Sequence, residues 1–180
     1  VWLATDVGAT RYDGHSCTTF TTQDGLVSNG IRKIYADTHG QVWFGTNGGV
    51  SRYDPASFVT FTARDGLSDN PVYSIVEDRH DDLWFGIRHA GACRYGRTGP
   101  ATFDRMDGLA STSVRKIHED RQGNLWFSTQ ESGAYRYDGA TITAFTTEDG
   151  LASNAVEMIH GDTEGNVWFA TTGGLSRFDG

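Results

Sequence analysis

Aspartate recurs along the chain at a spacing that first suggests a series of calcium sites. The recurring positions, 41 or 42 residues apart, are Asp37, Asp78, Asp120 and Asp162. Calcium needs several carboxylate and carbonyl oxygens close together, and the four positions share no set of closely spaced carboxylates that would make an oxygen-rich site. We therefore interpret the aspartates as caps of repeated turns.

Histidine is the other residue type that could do chemistry here. The chain has six histidines, His15, His39, His80, His89, His118 and His160. None lies in an H-E-x-x-H motif, and no serine lies in a G-x-S-x-G elbow. A metal between His118 and His160 is an alternative, since they recur at equivalent positions, but Tyr35 and Val76 at the same position favour simple packing variation. The sequence thus predicts no catalytic residue, metal or cofactor.

The tryptophans indicate the repeated elements that position these residues, because every tryptophan falls at the same point of one repeat. The spacings are 41, 41, 42 and 42 residues between Trp2, Trp43, Trp84, Trp126 and Trp168. The tripeptide Asp-Gly-Leu repeats with the same period, at Gly25, Gly66, Gly108 and Gly150. A residue present in every copy is better explained by packing than by sugar stacking. We therefore interpret the five tryptophans as structural.

Each repeat reads as four short strands, because runs of β-branched and aromatic residues alternate with Asp, Asn and Gly turns. In the third unit the strands A to D are predicted at 72–77, 83–87, 92–95 and 101–105. A four-stranded meander of about 42 residues cannot bury both of its faces alone. The predicted fold is all-β, a β-propeller of about five four-stranded antiparallel blades with incomplete terminal blades.

The predicted blades form a single domain over residues 1–180. They lie at about 2–22 (partial), 31–62, 72–104, 114–146 and 156–179 (partial). Because both ends carry B and C strands, the chain either closes as five blades or pairs its open strand edges with another chain. The chain also opens within a repeat without a methionine, which suggests a segment of a longer protein. Pairing through the terminal blades predicts a homo-oligomer.

The repeat resembles a known family. The pattern V-x-x-I-x-E-D-x-x-G-x-L-W-F-G-T-x-G-G-L-x-R-Y-D, followed by F-x-x-F-T-x-x-D-G-L-x-S-N, is similar to the two-component regulator propeller repeat over essentially the whole chain. The third unit departs from it, with Gly96 in place of Asp and an inserted residue near His89. The resemblance implies an extracytoplasmic, periplasmic sensor region of a bacterial receptor, often a hybrid histidine kinase responsive to glycans, and it supplies no catalytic residue.

Charge and composition narrow the partners. The net charge is −8 and no Lys/Arg run exceeds two residues, which argues against nucleic acid. No stretch approaches the length of a membrane helix, so we expect no membrane contact by this segment. Cys17 and Cys93 lie at different points of different repeats, which excludes a repeated disulfide staple and leaves a single bridge open.

Ligand chemistry is expected where the repeats differ. The D–A connections and B–C turns should emerge on one face of the disc, because successive strands alternate in direction. The candidate ligand-binding residues there are Arg32, Tyr73, Arg115 and Glu157 at one position of strand A, and Arg88, His89 and Glu131 in the B–C turns. A mixed ring of donors, acceptors and one aromatic could hold a carbohydrate or other small polar ligand, although a solvated channel rim is the simpler explanation.

Arginine recurs too, at Arg11, Arg52, Arg94, Arg136 and Arg177. Binding of acidic sugars is one use for these side chains. Their fixed place on strand C instead favours pairing with a local acid or carbonyl. The sequence therefore supports a non-catalytic ligand-binding sensor propeller, with an interaction scaffold and, third, a lyase or hydrolase on the same face as alternatives.

Overall fold

The computed structural model describes residues 1–55, 57–67, 71–96, 103–105, 108–109 and 113–179, with residues 103–105 given by their backbone. Eighteen strands fall into five antiparallel sheets, each a meander of consecutive strands. Each sheet is one blade, so the predicted all-β propeller of four-stranded blades with incomplete terminal blades is confirmed.

The strand bounds follow the repeat. Blade 1 has three strands, β1 (Trp2–Thr5), β2 (Gly8–Tyr12) and β3 (Cys17–Phe20). Blade 2 has β4 (Ile31–Ala36), β5 (Val42–Thr46), β6 (Gly49–Asp54) and β7 (Ser57–Phe61). Blade 3 has β8 (Val72–Glu77), β9 (Leu83–Ile87), β10 (Gly91–Tyr95) and β11 (Phe103–Arg105). The predicted strand at 101–105 therefore begins outside the described residues.

The last two blades repeat the pattern. Blade 4 has β12 (Val114–Glu119), β13 (Leu125–Thr129), β14 (Ala134–Tyr137) and β15 (Ile142–Phe145). Blade 5 has β16 (Val156–Gly161), β17 (Val167–Thr171) and β18 (Gly174–Phe178). Blade 1 thus has strands B to D and blade 5 has strands A to C. The A strands β4, β8, β12 and β16 neighbour one another from blade to blade, which places them innermost.

Aromatic side chains join each blade to the next. Trp43 is fully buried, with its ring 5.9 Å from Phe85 and 5.3 Å from Tyr95 of blade 3. Trp126 packs in the same way against Phe169 and Phe178 of blade 5, at 5.3 and 5.1 Å. Burial of such rings supplies a large share of the hydrophobic stabilisation, and edge-to-face contacts add to it. The tryptophan register is therefore the register of the blade interfaces.

The Asp-Gly-Leu motif closes a short 3-10 helix between blades. These helices are Thr22–Asp24, Ala63–Asp65 and Thr147–Asp149. In the first, the Thr21 hydroxyl accepts from Gln23 N, the Asp24 carboxylate accepts from Thr21 N at 2.8 Å, and Gly25 adopts φ +104°. The following leucine is buried, at 4% exposure for Leu26. The motif therefore combines a capping box, a left-handed turn and a core anchor.

The repeated aspartates cap the A–B hairpins, and each also accepts the indole N–H of its own blade's tryptophan. Asp37 Oδ1 accepts from His39 N and Gln41 N, and Asp37 Oδ2 accepts from Trp43 Nε1 at 2.7 Å. The same indole bond, 2.7 or 2.8 Å long, joins Trp84 to Asp78, Trp126 to Asp120 and Trp168 to Asp162. The bond fixes the tryptophan that the next blade packs against. Among the described residues, Cys17 and Cys93 form no disulfide, and Cys17 is exposed whereas Cys93 is buried.

Candidate ligand-binding sites

The B–C turns and D–A connections meet on one face of the disc, which we call the upper face. Backbone hydrogen bonds join them within each blade, from Asn47 N to Gly30 O at 3.0 Å, from Arg88 N to Pro71 O at 2.9 Å and from Thr172 N to Ala155 O at 3.1 Å. The A–B and C–D turns lie on the opposite, lower face. Each face therefore has its own set of variable side chains.

A β-bulge recurs at the second residue of every A strand. The register with strand B shifts between Ile31 and Lys33, and at the equivalent points of the other three A strands. The residues at the four bulges are Arg32, Tyr73, Arg115 and Glu157, which we call the axial ring. A bulge re-aims a side chain away from the regular pleat and is common beside binding sites. The four positions thus share an irregular backbone at the upper ends of the innermost strands.

Two ring members meet directly. Arg115 Nη1 of blade 4 donates to Glu157 Oε2 of blade 5 at 2.5 Å, with 35% and 42% of their side chains exposed. Arg115 Nε is buried without a hydrogen-bond partner, the one such side-chain atom found among the described residues. A buried guanidinium N–H without an acceptor is costly, and it marks a place where a ligand oxygen or water would be stabilised.

The other ring members are held separately. Arg32 Nε donates to Asn47 Oδ1 at 2.7 Å, and Arg32 Nη1 lies 3.9 Å from Asp6 of blade 1. Tyr73 is half-buried. Next to the ring, burial and the charge of Lys116 lower the pKa of Lys33, although the two lysines lie in blades 2 and 4. The ring positions and the residues after them thus carry four cations, Arg32, Lys33, Arg115 and Lys116, with Glu157 and Asp6 as acidic neighbours.

The three B–C turn candidates are not joined to the ring. Arg88 and Glu131 are exposed. His89 has φ +56°, and its backbone N and ring Nδ1 each lie 3.0 Å from Ser113 Oγ, so this histidine serves the turn that carries the extra residue. Within the described residues, no hydrogen bond or ion pair links Arg88, His89 or Glu131 to the ring. The structure thus groups Arg115 with Glu157 and leaves the turn residues at the rim.

The strand-C arginines agree only in part with the expected pairing with a local acid or carbonyl. Arg94 lies 3.8 Å from Asp82, and Arg177 lies 3.2 Å from Asp179. Arg52 instead lies over the Trp43 ring at 5.6 Å, and Arg136 over Trp126 at 5.8 Å. Cation–π contact with the interface aromatics was missed because it joins different strands.

The lower face carries two clefts that contain none of the predicted site residues. The cleft between blades 3 and 4, about 420 Å³, includes Arg79 and Glu119. The cleft between blades 4 and 5, about 520 Å³, includes His118, Arg121, His160 and Gly161. One feature of the sequence could have pointed to these clefts. Strand A ends in an acid in two copies, at Glu77 and Glu119, and the last copy has Gly161 at that position.

The two histidines of the second cleft lie side by side. Their ring centroids are 6.4 Å apart. Burial, followed by the neighbouring His160, lowers the pKa of His118, so His118 is neutral at neutral pH. The part of the chain that the structure describes contains no group of three or more His, Cys, Asp or Glu arranged to hold a metal ion. These histidines are therefore better suited to hydrogen bonding than to metal binding.

Five meander sheets joined by repeated tryptophan contacts define a β-propeller built from copies of one module. Residues 25–48, 66–89 and 108–131 match the family described as "Two component regulator propeller". Each matched segment runs from the Asp-Gly-Leu glycine through strands A and B into the B–C turn. Three repeats of this chain therefore match the repeat of that family. No curated protein matches the chain.

Solved structures show the same fold. The extracellular domains of two hybrid two component systems from B. thetaiotaomicron are each 25% identical, with TM-scores of 0.82 and 0.81, over 98% of this chain. The chain spans 25% and 26% of the length of those two structures. Virginiamycin B lyase from Staphylococcus aureus is 17% identical with a TM-score of 0.73, covering 98% of this chain and 65% of the lyase. The lyase likeness extends to the fold alone.

The described residues form no helix with the length and apolar character needed to cross a membrane.

Proposed function

We propose that the chain is part of the non-catalytic sensor propeller of an extracytoplasmic bacterial receptor, and that it binds an acidic glycan or other small anionic ligand at the axial ring. The observation that carries the binding site is Arg115, whose Nε is buried without an acceptor while Nη1 holds Glu157. A sulfate or carboxylate oxygen of the ligand would accept from Nε. The family match of three repeats and the likeness to extracellular domains of hybrid two component systems support the sensor role.

The charge near the axis supports an anionic ligand. Arg32 and Lys33 of blade 2 and Arg115 and Lys116 of blade 4 occupy the same two positions, and Glu157 is the one acid at the ring position. Repulsion between Lys33 and Lys116 contributes to the lowered pKa of Lys33. A bound anion would relieve this repulsion, because it neutralises charge that the fold holds together. The chain as a whole is acidic, so this local excess of positive charge favours specificity rather than general adhesion.

The test is calorimetric titration with sulfated or uronate-containing oligosaccharides, with neutral oligosaccharides of equal length for comparison. We expect Arg115→Gln to weaken binding of the acidic ligand by about tenfold or more, since a charge-assisted hydrogen bond contributes about 1.5–3 kcal/mol. Arg64→Gln is the matched control, because Arg64 lies in an exposed 3-10 helix on blade 2. Equal affinity of the wild type and Arg115→Gln for acidic oligosaccharides would contradict the site.

Assembly through the end blades is a second candidate function, and exposed apolar side chains favour it. Leu3 of blade 1 is 49% exposed, whereas Phe44 at the same repeat position is fully buried. Leu175 of blade 5 is 64% exposed, whereas its equivalent Val50 is fully buried. These outer faces have the same apolar positions that pack against a neighbouring blade elsewhere. We propose that they pack against a second copy when the chain is studied alone.

Light scattering of the 180-residue chain tests this assembly. We expect a mass above the 19.7 kDa of one chain, and a return towards 19.7 kDa in the Leu3→Ser, Leu175→Ser double variant. Thr60→Ser is a control on an exposed strand position that faces neither end. A wild-type mass of one chain at all concentrations would contradict assembly, without affecting the ligand site.

A further inference from the structure

Three blade junctions on the lower face carry the same A–B turn, so the side chains at these junctions can be compared with one another. At two of them, the acid that ends strand A of the following blade is bound by the turn of the preceding blade. Glu77 accepts from Thr38 N and Thr38 Oγ1, both at 2.8 Å, and its side chain is 3% exposed. Glu119 accepts from Arg79 N at 3.4 Å and from Arg79 Nε at 2.7 Å. Each turn therefore holds a carboxylate.

The third junction has the donors but lacks the carboxylate. Arg121 is equivalent to Thr38 and Arg79, and the residue that would bring the acid is Gly161. Among the described residues, neither the backbone N–H nor the guanidinium of Arg121 has a hydrogen-bond acceptor. The counterpart Arg79 uses its other nitrogens on the carbonyls of Asp120, Arg121 and Gln122. The exposed Arg121 is thus the unpaired member of a repeated pair.

Open space accompanies the missing acid. At the 3/4 junction, a Cβ on Gly123 would lie 2.4 Å from Arg79 Cζ, so the guanidinium covers that glycine. At the 4/5 junction, nothing lies within 4 Å of a Cβ built on the equivalent Gly165. The resulting cleft of about 520 Å³ has the size of a small-molecule site. The cleft at the 3/4 junction, where Glu119 and Arg79 are present, is smaller, at about 420 Å³.

His118 explains why residue 161 is glycine. A Cβ on Gly161 would lie 2.5 Å from His118 Nε2, so the imidazole occupies the space where a longer residue would begin. Burial and the neighbouring His160 keep His118 neutral at neutral pH. A neutral imidazole has one N–H to donate and one nitrogen to accept with. The junction has therefore exchanged a built-in carboxylate for an imidazole beside an open cleft.

The acids that line the cleft are Glu119, Asp120 and Asp162, and each has hydrogen-bond donors of its own, Arg79 in the case of Glu119. Asp120 Oδ2 accepts from Trp126 Nε1 and Asn124 Nδ2, and Asp162 Oδ2 accepts from Trp168 Nε1 and Asn166 Nδ2. These donors offset the two charges within each turn. The equivalent Asp37 and Asp78 lie in the turns that hold Glu77 and Glu119. The same surroundings accept a carboxylate at both of the other junctions.

We propose that the cleft between blades 4 and 5 binds a small organic carboxylate, whose carboxylate takes the place of the missing glutamate on Arg121 while His118 and His160 contact the rest of the ligand. The site lies on the lower face, apart from the axial ring. The proposal is therefore independent of the acidic ligand proposed for the ring.

The experiment is an NMR titration that follows the imidazole resonances of His118 and His160. The probes are sodium glucuronate, sodium acetate and neutral methyl glucoside at equal ionic strength. We expect glucuronate to shift both histidines, methyl glucoside to leave them unchanged, and Arg121→Gln to weaken the response about tenfold or more. An equal response to acetate would assign a site for any carboxylate, and a response to glucuronate alone would assign a sugar acid.

A second variant introduces the residues of the 3/4 junction into the 4/5 junction. His118→Val with Gly161→Glu recreates the Val76 and Glu119 pair of the 3/4 junction, so the new carboxylate should occupy Arg121. We expect this variant to remain folded and to lose glucuronate binding, read from the Arg121 guanidinium and backbone resonances. Arg64→Gln should bind as the wild type does, and Arg115→Gln should affect only the axial ring. Unchanged histidine resonances in the wild type, or full binding by Arg121→Gln, would overturn the proposal.

Discussion

Removal of the Asp37 carboxylate tests the contact that fixes each blade interface. Asp37 is 6% exposed and accepts the indole N–H of Trp43, which is fully buried between blades 2 and 3. The same carboxylate also accepts from His39 N at 3.0 Å and from Gln41 N at 2.8 Å. Asp37→Ala removes the acceptor of all three of these hydrogen bonds at once, and the buried indole cannot turn to water.

The expected cost follows from the buried donor. An unsatisfied buried N–H costs about 1–3 kcal/mol, and the loss of hydrogen bonds to a charged acceptor adds to it. We therefore expect Asp37→Ala to lower the free energy of unfolding by about 3 kcal/mol. For a chain of this size, that corresponds to a midpoint lowered by roughly 6–12 °C.

Thermal unfolding followed by circular dichroism measures the effect. Asp138→Ala is the matched control, because Asp138 also caps a turn by accepting two backbone N–H groups, from Ala140 and Thr141, yet is exposed and accepts no indole. We expect a much smaller loss in the control. Equal losses in the two variants would show that turn capping alone, and not the indole bond, accounts for the aspartate.

Three further predictions concern strain and pH. Gly49→Ala should lower the free energy of unfolding by at least about 2 kcal/mol, since Gly49 has φ +134° and its Cβ would lie 2.5 Å from Phe61 O. Gly40→Ala should lower it by only about 1 kcal/mol, because Gly40 has φ +78° but nothing lies within 4 Å of its Cβ. Equal losses of stability in urea titrations would contradict this. Hydrogen bonds from Thr141 and Ala140 lower the pKa of Asp138 to about 2. Its contribution is therefore present above the unfolded pKa of about 4 and lost as pH falls towards 2, and Asp138→Ala should flatten the acid limb of a melting profile. Burial, followed by the neighbouring His160, lowers the pKa of His118 in the folded chain. As the pH falls below about 6.5, the unfolded chain therefore takes up a proton more readily than the folded chain, and the free energy of unfolding decreases. His118→Val should remove this decrease in stability.

The repeat made most of the fold predictable. Tryptophan spacing, alternating β-branched runs and turn residues are local features, and they determine strands, hairpins and the stacking of blades. The predicted strand bounds 72–77 and 83–87 coincide with β8 and β9. The cap function of the repeated aspartates was also readable, because the donors at Asp37 lie two and four residues away.

Contacts between strands and between blades could not be predicted from the sequence in the same way. The indole bond joins Trp43 to Asp37 across a hairpin, and the bulge at Arg32 is a shift of register between β4 and β5. Neither leaves a mark in the residue types of one strand.

The clefts of the lower face depend on residues about 42 positions apart. Arg121 can be recognised as a candidate binding residue only when the packed blades place it beside Gly161 and the 3/4 junction shows Arg79 bound to Glu119. Comparison of the copies after folding, rather than before it, identifies the variable position that matters.

The most direct test of the ligand-binding account is a crystal structure of the chain soaked with a sulfated or uronate-containing oligosaccharide. We predict density at the upper end of the innermost strands, with a ligand oxygen within hydrogen-bonding distance of Arg115 Nε, which is buried without a partner among the described residues. Ligand bound elsewhere while Arg115 keeps its contact with Glu157 and no acceptor at Nε would contradict the axial ring as the sensing site.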